Sequence, residues 1–283
     1  MIDAMRDRGV ASRADLARIT GLSRSTISTI VADLLEDGLA IEREGETHVD
    51  GEAHAGRPPV MVSLDSAAGL ALGIDFGHRH LRVAVADLAH AVLAETWREL
   101  DVDHSAEHGL DAAAEFVDVV LAEAGLDRNR VIGVGMGLPA PIDRATGAVQ
   151  GHSILPGWVG VDAAAEASRR LGLPVEVEND ANLGALAELT SGAGRGKSEV
   201  AYIKVSTGIG AGLISGGRLQ HGVGGTAGEI GHTLLTEGGP VCRCGNRGCL
   251  ETHASSRAIA DLLSASRREE ISIPRMLELA AGG

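Results

Sequence analysis

All three cysteines of this 283-residue chain lie within eight positions, as Cys242, Cys244 and Cys249. Thiolates at this spacing are typical metal ligands, and structural zinc takes four nitrogen or sulfur ligands in a tetrahedron. Three sulfurs leave one ligand to be found, and His232 is the best candidate because it lies shortly before the group. The spacing therefore predicts a structural zinc ion on His232, Cys242, Cys244 and Cys249.

A disulfide with one spare thiol is the alternative for the same three cysteines. Disulfides form mainly in exported proteins, and the first residues of the chain lack the apolar core of an export signal. Gly245 and Gly248 also favour a metal loop, because a tight turn around an ion needs the backbone freedom of glycine. We therefore expect a cytoplasmic protein that carries zinc.

Composition limits the classes of partner. Hydrophobic residues make up 44% of the chain, yet no stretch approaches the roughly 18 consecutive apolar residues that would suggest a membrane span. The formal charge of −14 argues against a generic nucleic-acid coat protein, which would be basic. Any contact with nucleic acid must therefore be local, and we expect no contact with a membrane.

Residues 12–36 have the pattern of two short helices about a glycine-containing turn. Apolar residues recur at helical spacing on both sides of Gly21, and Ser12 and Ser23 stand where helix N-caps are expected. This is the helix-turn-helix signature, whose second helix reads the major groove of DNA; the alternative is a helical hairpin used only for packing. The side chains suited to base edges and phosphates are Ser23, Arg24, Ser25, Thr26, Ser28 and Thr29.

Two short alternating stretches follow, at residues 39–43 and 60–64, and they predict a β-hairpin wing. Residues 56–59 between them read Gly-Arg-Pro-Pro, a stiff and extended segment that can lay Arg57 in a narrow minor groove. An ordinary proline-rich linker would have the same sequence. The sequence does not separate these two interpretations.

The rest of the chain alternates strands with helices, which indicates an α/β sheet. The predicted strands are residues 71–77, 81–87, 131–136, 175–178 and 200–205, and the predicted helices are residues 106–124 and 161–171. We expect two domains, a winged helix-turn-helix unit of residues 1–64 and an α/β unit of residues 65–283.

A glycine-rich turn near the end of these strands carries Thr207, Gly208 and Gly210. Backbone amides of such a turn can cradle a phosphate group. A β-hairpin that needs positive φ angles would have the same sequence, so the turn by itself identifies no ligand.

Several motifs occur together in an order typical of one family. They are the helix-turn-helix with its Gly-Arg-Pro arm, the turn at Asp75 and Gly77, the Glu-Asn-Asp-Ala-Asn segment of residues 178–182, the glycine turn of residues 208–212, the Glu-x-Gly-His segment of residues 229–232, and the cysteine group followed by Glu251. In this order they resemble the ROK family of repressors, open reading frames and sugar kinases. The resemblance covers about residues 12–264 and implies a winged helix-turn-helix followed by a two-lobed, actin-like α/β domain.

The resemblance also implies a sugar bound in a cleft between two lobes, of about residues 65–178 and 179–283. By likeness, the residues that bind its hydroxyl groups are Asn179, Asp180, Glu229, His232 and Glu251, with zinc fixing the wall that carries them. Carboxylates and amides suit polyols, and a metal-bound histidine is held in one tautomer. For Glu229 and Glu251 the alternative is surface salt bridging.

Kinases of this fold use a carboxylate at the position of Asp180 as the catalytic base, and Mg²⁺ with two glycine turns stabilises the phosphoryl group of ATP. The first of these turns usually reads Asp-x-Gly-Gly-Thr. Here Asp75 and Gly77 are followed by His78 and then by His80, so a glycine and the threonine hydroxyl are lost. We therefore expect the phosphate turns to be vestigial.

His78 and His80 invite a separate interpretation as ligands of a second metal ion. Two histidines without a third ligand are more typical of an ordinary exposed turn, which is our expectation here.

These observations predict a sugar-responsive transcriptional repressor that binds operator DNA as a homodimer or higher oligomer, because one helix-turn-helix supplies too little contact for a specific site. The sugar would change the angle between the lobes and so the spacing of two recognition helices. The alternative is an ATP-dependent sugar kinase with a DNA-binding appendage. Related proteins continue beyond the position of Gly283, so we also expect the second lobe to be incomplete.

Overall fold

The structure is a computed structural model that describes residues 1–43, 60–150 and 155–281. The arm with Arg57 lies outside the described residues. Internal packing divides the chain into two compact units. The first comprises Met1–Gly73, Ala84–Thr96 and Val117–Val134, and the second comprises Ile74–Val83, Trp97–Phe116 and Gly135–Gly283.

The first unit begins with three helices and a small sheet. Its elements are α1 (Ile2–Arg8), β1 (Val10–Ser12), α2 (Arg13–Thr20), α3 (Arg24–Glu36), β2 (Ala40–Arg43) and β3 (Met61–Leu64). Strand β3 lies between β1 and β2 and pairs antiparallel with both, with Ala40 opposite Leu64. The predicted helix pair and β-hairpin are confirmed, and α1 and β1 are additions to the predicted pattern.

Serine caps both helices of the pair. The Ser12 hydroxyl accepts a hydrogen bond from the Asp15 amide at 3.1 Å, and the Asp15 carboxylate accepts one from the Ser12 amide at 3.2 Å, which together form a capping box. Ser23 caps α3 by accepting from the Thr26 amide at 3.1 Å. Gly21 ends α2 at a φ of 70°, a left-handed conformation that favours glycine. The predicted caps and turn are therefore confirmed.

The apolar faces of these helices form one core with the small sheet. Leu16 of α2, Ile27 and Val31 of α3 and Val62 of β3 are completely buried. Met5 of α1 is 1% exposed and belongs to the same core. A seven-residue helix is too short to be stable alone, so this burial rather than helix propensity stabilises α1.

A five-stranded sheet has the strand order β6-β5-β4-β7-β8. Its strands are β4 (Leu70–Gly77), β5 (His80–Asp87), β6 (Val92–Glu99), β7 (Val131–Leu138) and β8 (Val175–Asn179). Four of these strands are predicted from the sequence. Strand β6 is not, because it lies at the edge of the sheet and leaves Val92, Leu93 and Trp97 exposed among charged residues.

Helices alternate with these strands, and a second sheet follows them. The helices are α4 (Ala106–Glu123), α5 (Ala163–Leu171) and α6 (Asp180–Ser191), followed by β9 (Val200–Val205), β10 (Ile209–Ser215), β11 (Arg218–Leu219), α7 (Glu251–Ala254), α8 (Ser256–Arg267) and α9 (Ile273–Ala281). The second sheet has the order β11-β10-β9. The predicted α/β class is confirmed. Nowhere in the described ranges is a helix both long and apolar enough to cross a membrane.

Trp158 secures the end of β4, where the first glycine turn begins. It is completely buried, and its Nε1 donates to the Val102 carbonyl oxygen at 2.7 Å. Its ring meets Phe76 edge-on, with ring centroids 5.2 Å apart. The backbone that leads into Gly77 is therefore fixed by aromatic packing.

Candidate functional site

Four side chains form a compact cluster with the geometry of a metal site. The ligand atoms of His232, Cys242, Cys244 and Cys249 all lie within 4.8 Å of one another. The Cys244 and Cys249 sulfurs are 3.7 Å apart, and Cys242 Sγ lies 3.5 Å from His232 Nδ1. Tetrahedral zinc at ordinary bond lengths would separate two sulfurs by about 3.8 Å and sulfur from nitrogen by about 3.6 Å. The cluster can therefore hold a metal ion, and its cysteines are free rather than joined in a disulfide.

Glycine shapes the loop that carries the sulfurs. Gly245 and Gly248 adopt φ angles of 91° and 69°. A Cβ at Gly248 would lie 1.7 Å from the Thr236 carbonyl oxygen, so no other residue fits there. The Cys242 amide donates to the Asn246 carbonyl oxygen at 2.8 Å and closes the loop. The predicted need for glycine at these two positions is confirmed.

His232 turns one ring nitrogen to the sulfurs and the other to a carboxylate. Its Nε2 lies 3.6 Å from Glu229 Oε2, while Nδ1 faces Cys242. A single 3₁₀ turn, Ile230–His232, carries the ring. A Cβ at Gly231 would lie 2.1 Å from the Ile209 carbonyl oxygen, so glycine lets this turn pack against β10. The imidazole therefore connects the cysteine cluster to the space beside it.

That space is a narrow cavity of about 50 Å³, which we call the carboxylate cavity. All five predicted sugar-binding residues line it, together with the glycine turn between β9 and β10. The complete lining is His78, Pro139, Asn179, Asp180, Lys204, Ser206, Thr207, Gly208, Ile209, Gly210, Glu229, His232 and Glu251. Residues that are distant in the sequence are therefore brought to one place.

A wider cavity of about 560 Å³ adjoins the carboxylate cavity and shares Pro139, Glu229 and His232 with it. Its volume lies within the roughly 300–1,000 Å³ of ordinary small-ligand pockets. Gln150, Thr226 and Asn246 add polar groups to its wall. These three residues were not predicted. Gln150 and Thr226 lie in loops with no recognisable motif around them, and Asn246 lies inside the cysteine motif, of which only the cysteines and glycines were interpreted.

Helix α6 presents Asp180 in its first turn, where the helix dipole favours a carboxylate. Asn179 is the N-cap of this helix. Its Oδ1 accepts from the amides of Ala181 and Asn182 at 2.9 and 3.2 Å, and its Nδ2 donates to the Ala140 carbonyl oxygen at 3.3 Å. Asn179 therefore fixes the start of α6 as well as lining the cavity.

Lys204 brings an ammonium group into the same cavity. Its Nζ donates to Asp180 Oδ2, and the two side chains are 32% and 10% exposed. Lys204 and Tyr202 share one face of β9, and a Cβ at Gly184 of α6 would lie 2.4 Å from the Tyr202 ring. This face therefore packs against α6, which brings Lys204 to Asp180. Sequence reasoning missed Lys204, whose only signal is a lysine in an alternating strand.

Glu229 and Glu251 complete a group of three carboxylates. Glu251 is 7% exposed, and its Oε2 accepts from the Ile209 amide at 3.0 Å. Burial, followed by the charges of Asp180 and Glu251, raises the pKa of Glu229 to about 7. Both glutamates lie in the cavity wall, so surface salt bridging does not account for them.

A second group of side chains supports α6 from outside the cavity. Glu178 Oε1 accepts from Asn182 Nδ2 at 2.9 Å, and Glu178 Oε2 lies 2.6 Å from His221 Nε2. Arg144 Nη1 lies 2.7 Å from the same histidine nitrogen. These contacts tie the start of α6 to the loop that follows β11. They were not predicted, because nothing in the sequence relates Arg144 to His221.

The glycine turn of the cavity is a β-hairpin in which Val205 pairs with Ile209. Its glycines do not adopt positive φ angles. Gly212 is needed for close approach instead, because a Cβ there would lie 2.3 Å from the Ala181 carbonyl oxygen. A Cβ at Gly208 would lie 2.6 Å from Glu251 Oε2 and would displace that carboxylate. The hairpin interpretation is therefore right in topology, for a different physical reason.

The first glycine turn is filled by a histidine. A Cβ at Gly77 would lie 2.1 Å from Cε1 of His80, and His80 Nε2 lies 3.1 Å from Asp75 Oδ2. Burial raises the pKa of Asp75, but the hydrogen bond and charge of His80 outweigh it and hold this pKa below its usual value. The imidazole thus takes the space beside Gly77.

The expectation of an exposed turn is wrong for His78. Its side chain is 9% exposed, and its Nδ1 lies 2.7 Å from Asp103 Oδ1. The partner carboxylate makes this burial possible, since a buried imidazole needs a hydrogen bond. The His80 side chain is 43% exposed, so it is only partly buried.

The six predicted DNA-binding side chains of the helix-turn-helix are all exposed. They lie on or just before α3, which the motif marks as the recognition helix, while Ile27 between them is buried. Their hydroxyls form local hydrogen bonds, with Ser28 donating to the Arg24 carbonyl oxygen at 2.9 Å and Thr29 to the Ser25 carbonyl oxygen at 3.2 Å. The surface is therefore polar, ordered and open to a partner.

Comparison with known proteins identifies two matching regions of the chain. Residues 71–283 match the model of the ROK family, and residues 2–40 match a model of winged helix-turn-helix DNA-binding domains. The chain belongs to the ROK family. It is 32% identical over 269 residues to the xylose repressor of Bacillus subtilis strain 168, which covers 95% of this chain and 68% of that protein.

Solved ROK structures have the same fold. A ROK transcriptional regulator, a homologue of the Escherichia coli MLC protein, has a TM-score of 0.74 and 29% identity over 96% of this chain and 70% of its own. The ROK glucokinase of Streptomyces griseus, solved with glucose and AMPPNP, has a TM-score of 0.68 and 30% identity over 76% of this chain and 72% of its own. The predicted winged helix-turn-helix and actin-like α/β fold are confirmed. Because regulators and kinases share the fold, the site must decide the activity.

Proposed function

We propose that this ROK chain is a sugar-responsive transcriptional repressor. The recognition helix carries the proposal, because six polar side chains that suit base edges and phosphates stand exposed on a helix whose apolar face is buried. The similarity to a xylose repressor over 95% of the chain supports it. Residues 1–64 bind operator DNA, with Arg57 in the minor groove, and residues 65–283 bind the sugar.

The carboxylate cavity, with the wider cavity that adjoins it, is the proposed effector site. Oxygens of Asp180 and Glu229 accept hydrogen bonds from sugar hydroxyls, and His232 offers the ring nitrogen that faces Glu229. Asn179 and Glu251 complete the set of five and hold α6 and the β9–β10 hairpin in position. The repressor works in the cytoplasm. It acts as a homodimer or higher homo-oligomer, because a specific operator needs two recognition helices.

Zinc is the proposed metal of the cysteine cluster. The sulfur and nitrogen separations fit tetrahedral zinc, and three cysteines with one histidine are a usual structural donor set. Bound zinc would neutralise the thiolates and fix the orientation of the ring of His232. The ion would thereby set the direction of the nitrogen that faces the cavity.

A sugar kinase is the second candidate, with Asp180 as the base and ATP with Mg²⁺ as phosphoryl donor. The position of Asp180 and the likeness to a glucokinase structure favour it. The filled first turn counts against it, because the His80 ring takes the space beside Gly77 that a phosphate group would need. The repressor is therefore the better supported function.

Two measurements test the proposal. Purified chain is used to select binding sequences from random duplex DNA, and the selected duplex is titrated in a gel shift at fixed salt with and without a panel of monosaccharides. We expect a selected sequence whose affinity one sugar changes. Failure to select any sequence would refute the repressor, and robust sugar phosphate formation with ATP and Mg²⁺ would favour the kinase.

A further inference from the structure

The pairing of Lys204 with Asp180 follows from two packing constraints. Strand β9 is held to β10 in a register that sets Lys204 opposite Gly210, and Tyr202 on the same face is pressed against Gly184 of α6. Lys204 is two residues further along this face, towards the first turn of α6 where Asp180 stands. Its ammonium reaches Asp180 Oδ2 as a consequence.

The ammonium is only partly used by this contact. A lysine head group has three N–H donors, and Asp180 takes one of them. At 32% exposure the side chain still opens into the carboxylate cavity, beside the hydroxyls of Ser206 and Thr207. Lys204 therefore has donors available for the oxygen atoms of a ligand.

The charges in the cavity wall select against an anion. Three carboxylates, of Asp180, Glu229 and Glu251, face one lysine whose charge is already balanced by Asp180. His78 also lines the cavity, but its ring is bonded to Asp103. A phosphate or carboxylate on the ligand would meet net negative charge without an unpaired cation.

We infer that Lys204, with its charge balanced by Asp180, is a specificity-determining residue that donates to an uncharged sugar, while the carboxylates around it make the cavity reject the phosphate ester of the same sugar. Lys204 donates to a ring or hydroxyl oxygen, and its pairing with Asp180 leaves no free charge to hold a phosphate. The inference rests on the proposed sugar-binding function and adds the chemical class of the effector and the residue that selects it.

The experiment measures dissociation constants by calorimetry for neutral monosaccharides and for their 6-phosphates, where these exist. Lys204→Met removes the ammonium, and Asp180→Asn leaves it unpaired. Lys197→Met is the matched control, because Lys197 is the only other lysine of the chain and is exposed outside the cavity. Metal content and thermal unfolding of each variant confirm that it is folded.

We expect the wild type and Lys197→Met to bind one neutral sugar equally well and its phosphate ester at least about tenfold more weakly. Lys204→Met should weaken binding of the neutral sugar by at least about tenfold, because a charge-assisted hydrogen bond is lost. Asp180→Asn should shift the preference towards the phosphate ester, because the freed ammonium can now pair with the anion.

A second readout uses the fact that the chain has two lysines. Limited acetylation with an amine-reactive reagent, read by mass spectrometry, should modify Lys197 faster than Lys204, and the bound sugar should protect Lys204 alone. This comparison needs no variant and so is independent of folding defects.

The possible failures are distinguishable. If the wild type binds no sugar of either class, the proposed function fails together with the inference. If it binds a neutral sugar that Lys204→Met binds as tightly, or if it prefers the phosphate ester, the inference alone is overturned. Equal protection of Lys197 and Lys204 by the sugar would also overturn it.

Discussion

The recognition helix and the carboxylate cavity place their functional groups in opposite relations to the packing beneath them. On α3 the polar side chains point outward and bond to their own backbone, while Ile27 and Val31 support the helix from below. In the cavity, Glu251 is buried, Asp180 is largely so, and both hold neighbouring elements together. Substitutions on the surface of the recognition helix should therefore change binding without changing stability, whereas substitutions in the cavity should change both.

The largest expected effect tests the cavity side of this comparison. Cys244→Ser removes one of four metal ligands, so we expect loss of the metal and a fall in Tm on the order of 10 °C, because metal-binding energy is folding energy. Elemental analysis and thermal unfolding measure both. A chelator should lower the Tm of the wild type and leave that of the variant almost unchanged. Retained metal with an unaltered Tm would contradict the site.

Gly212→Ala tests the close approach between β10 and α6. The new Cβ would lie 2.3 Å from the Ala181 carbonyl oxygen and 2.5 Å from Ala185 Cβ. We expect the free energy of unfolding to fall by about 1–3 kcal/mol, measured in urea. Gly73→Ala is the control, because its Cβ would meet nothing within 4 Å. Equal stability of the two variants would show that the contact is not tight.

Arg24→Ala tests the separation expected on the recognition helix. We expect affinity for the selected duplex to fall about tenfold, because a single arginine contact to bases or phosphates is lost, while metal content and Tm stay the same. Arg257→Ala on α8 is the matched control, with an exposed arginine outside the helix-turn-helix. An unchanged gel-shift titration would show that Arg24 does not contact DNA. A lowered Tm would contradict the expectation that binding and stability are separate on this helix.

Ser12→Ala has the smallest expected effect. It removes the N-cap of α2, which should lower the free energy of unfolding by about 1 kcal/mol. Ser28→Ala is the control, because its hydroxyl only bonds back to the Arg24 carbonyl within α3. The free energies of unfolding of both variants are measured in urea. Equal values would show that the Ser12 cap does not contribute to stability.

The difference in stability between the wild type and Ser12→Ala should depend on pH. The hydrogen bond from the Ser12 side chain is the main reason that the pKa of Asp15 lies below its ordinary value of 3.8. A lowered folded-state pKa stabilises the protein above the unfolded pKa, and that stabilisation is lost as the pH falls through the folded value. The stability gap between wild type and Ser12→Ala should therefore narrow in acid, and a gap that widens would contradict this assignment.

Local patterns explain which features the sequence predicts. The caps at Ser12 and Ser23, the turn at Gly21 and the cysteine spacing depend on residues close in the chain, and the structure confirms them. Edge strand β6 was missed because its exposed alternation resembles a charged loop.

Contacts that depend on packing between distant segments could not be predicted. Lys204 meets Asp180 only because β9 takes a particular register against α6, and His80 covers Gly77 only because the β4–β5 turn folds back. No spacing rule relates such residues. The sugar-binding candidates were predicted from a family motif, whereas the residues that contact them were identified only from the structure.

Strand β10 makes close backbone contacts that restrict how the cavity can move. A Cβ at Gly212 would strike α6, one at Gly228 would lie 1.9 Å from the Ala211 carbonyl oxygen, and one at Gly231 would lie 2.1 Å from that of Ile209. Helix α6 and the backbone at Gly228 and Gly231 therefore pack directly against β10, and we expect them to move with it. A ligand in the carboxylate cavity that moves one of these contacts should therefore displace α6 and the turn that carries His232 together.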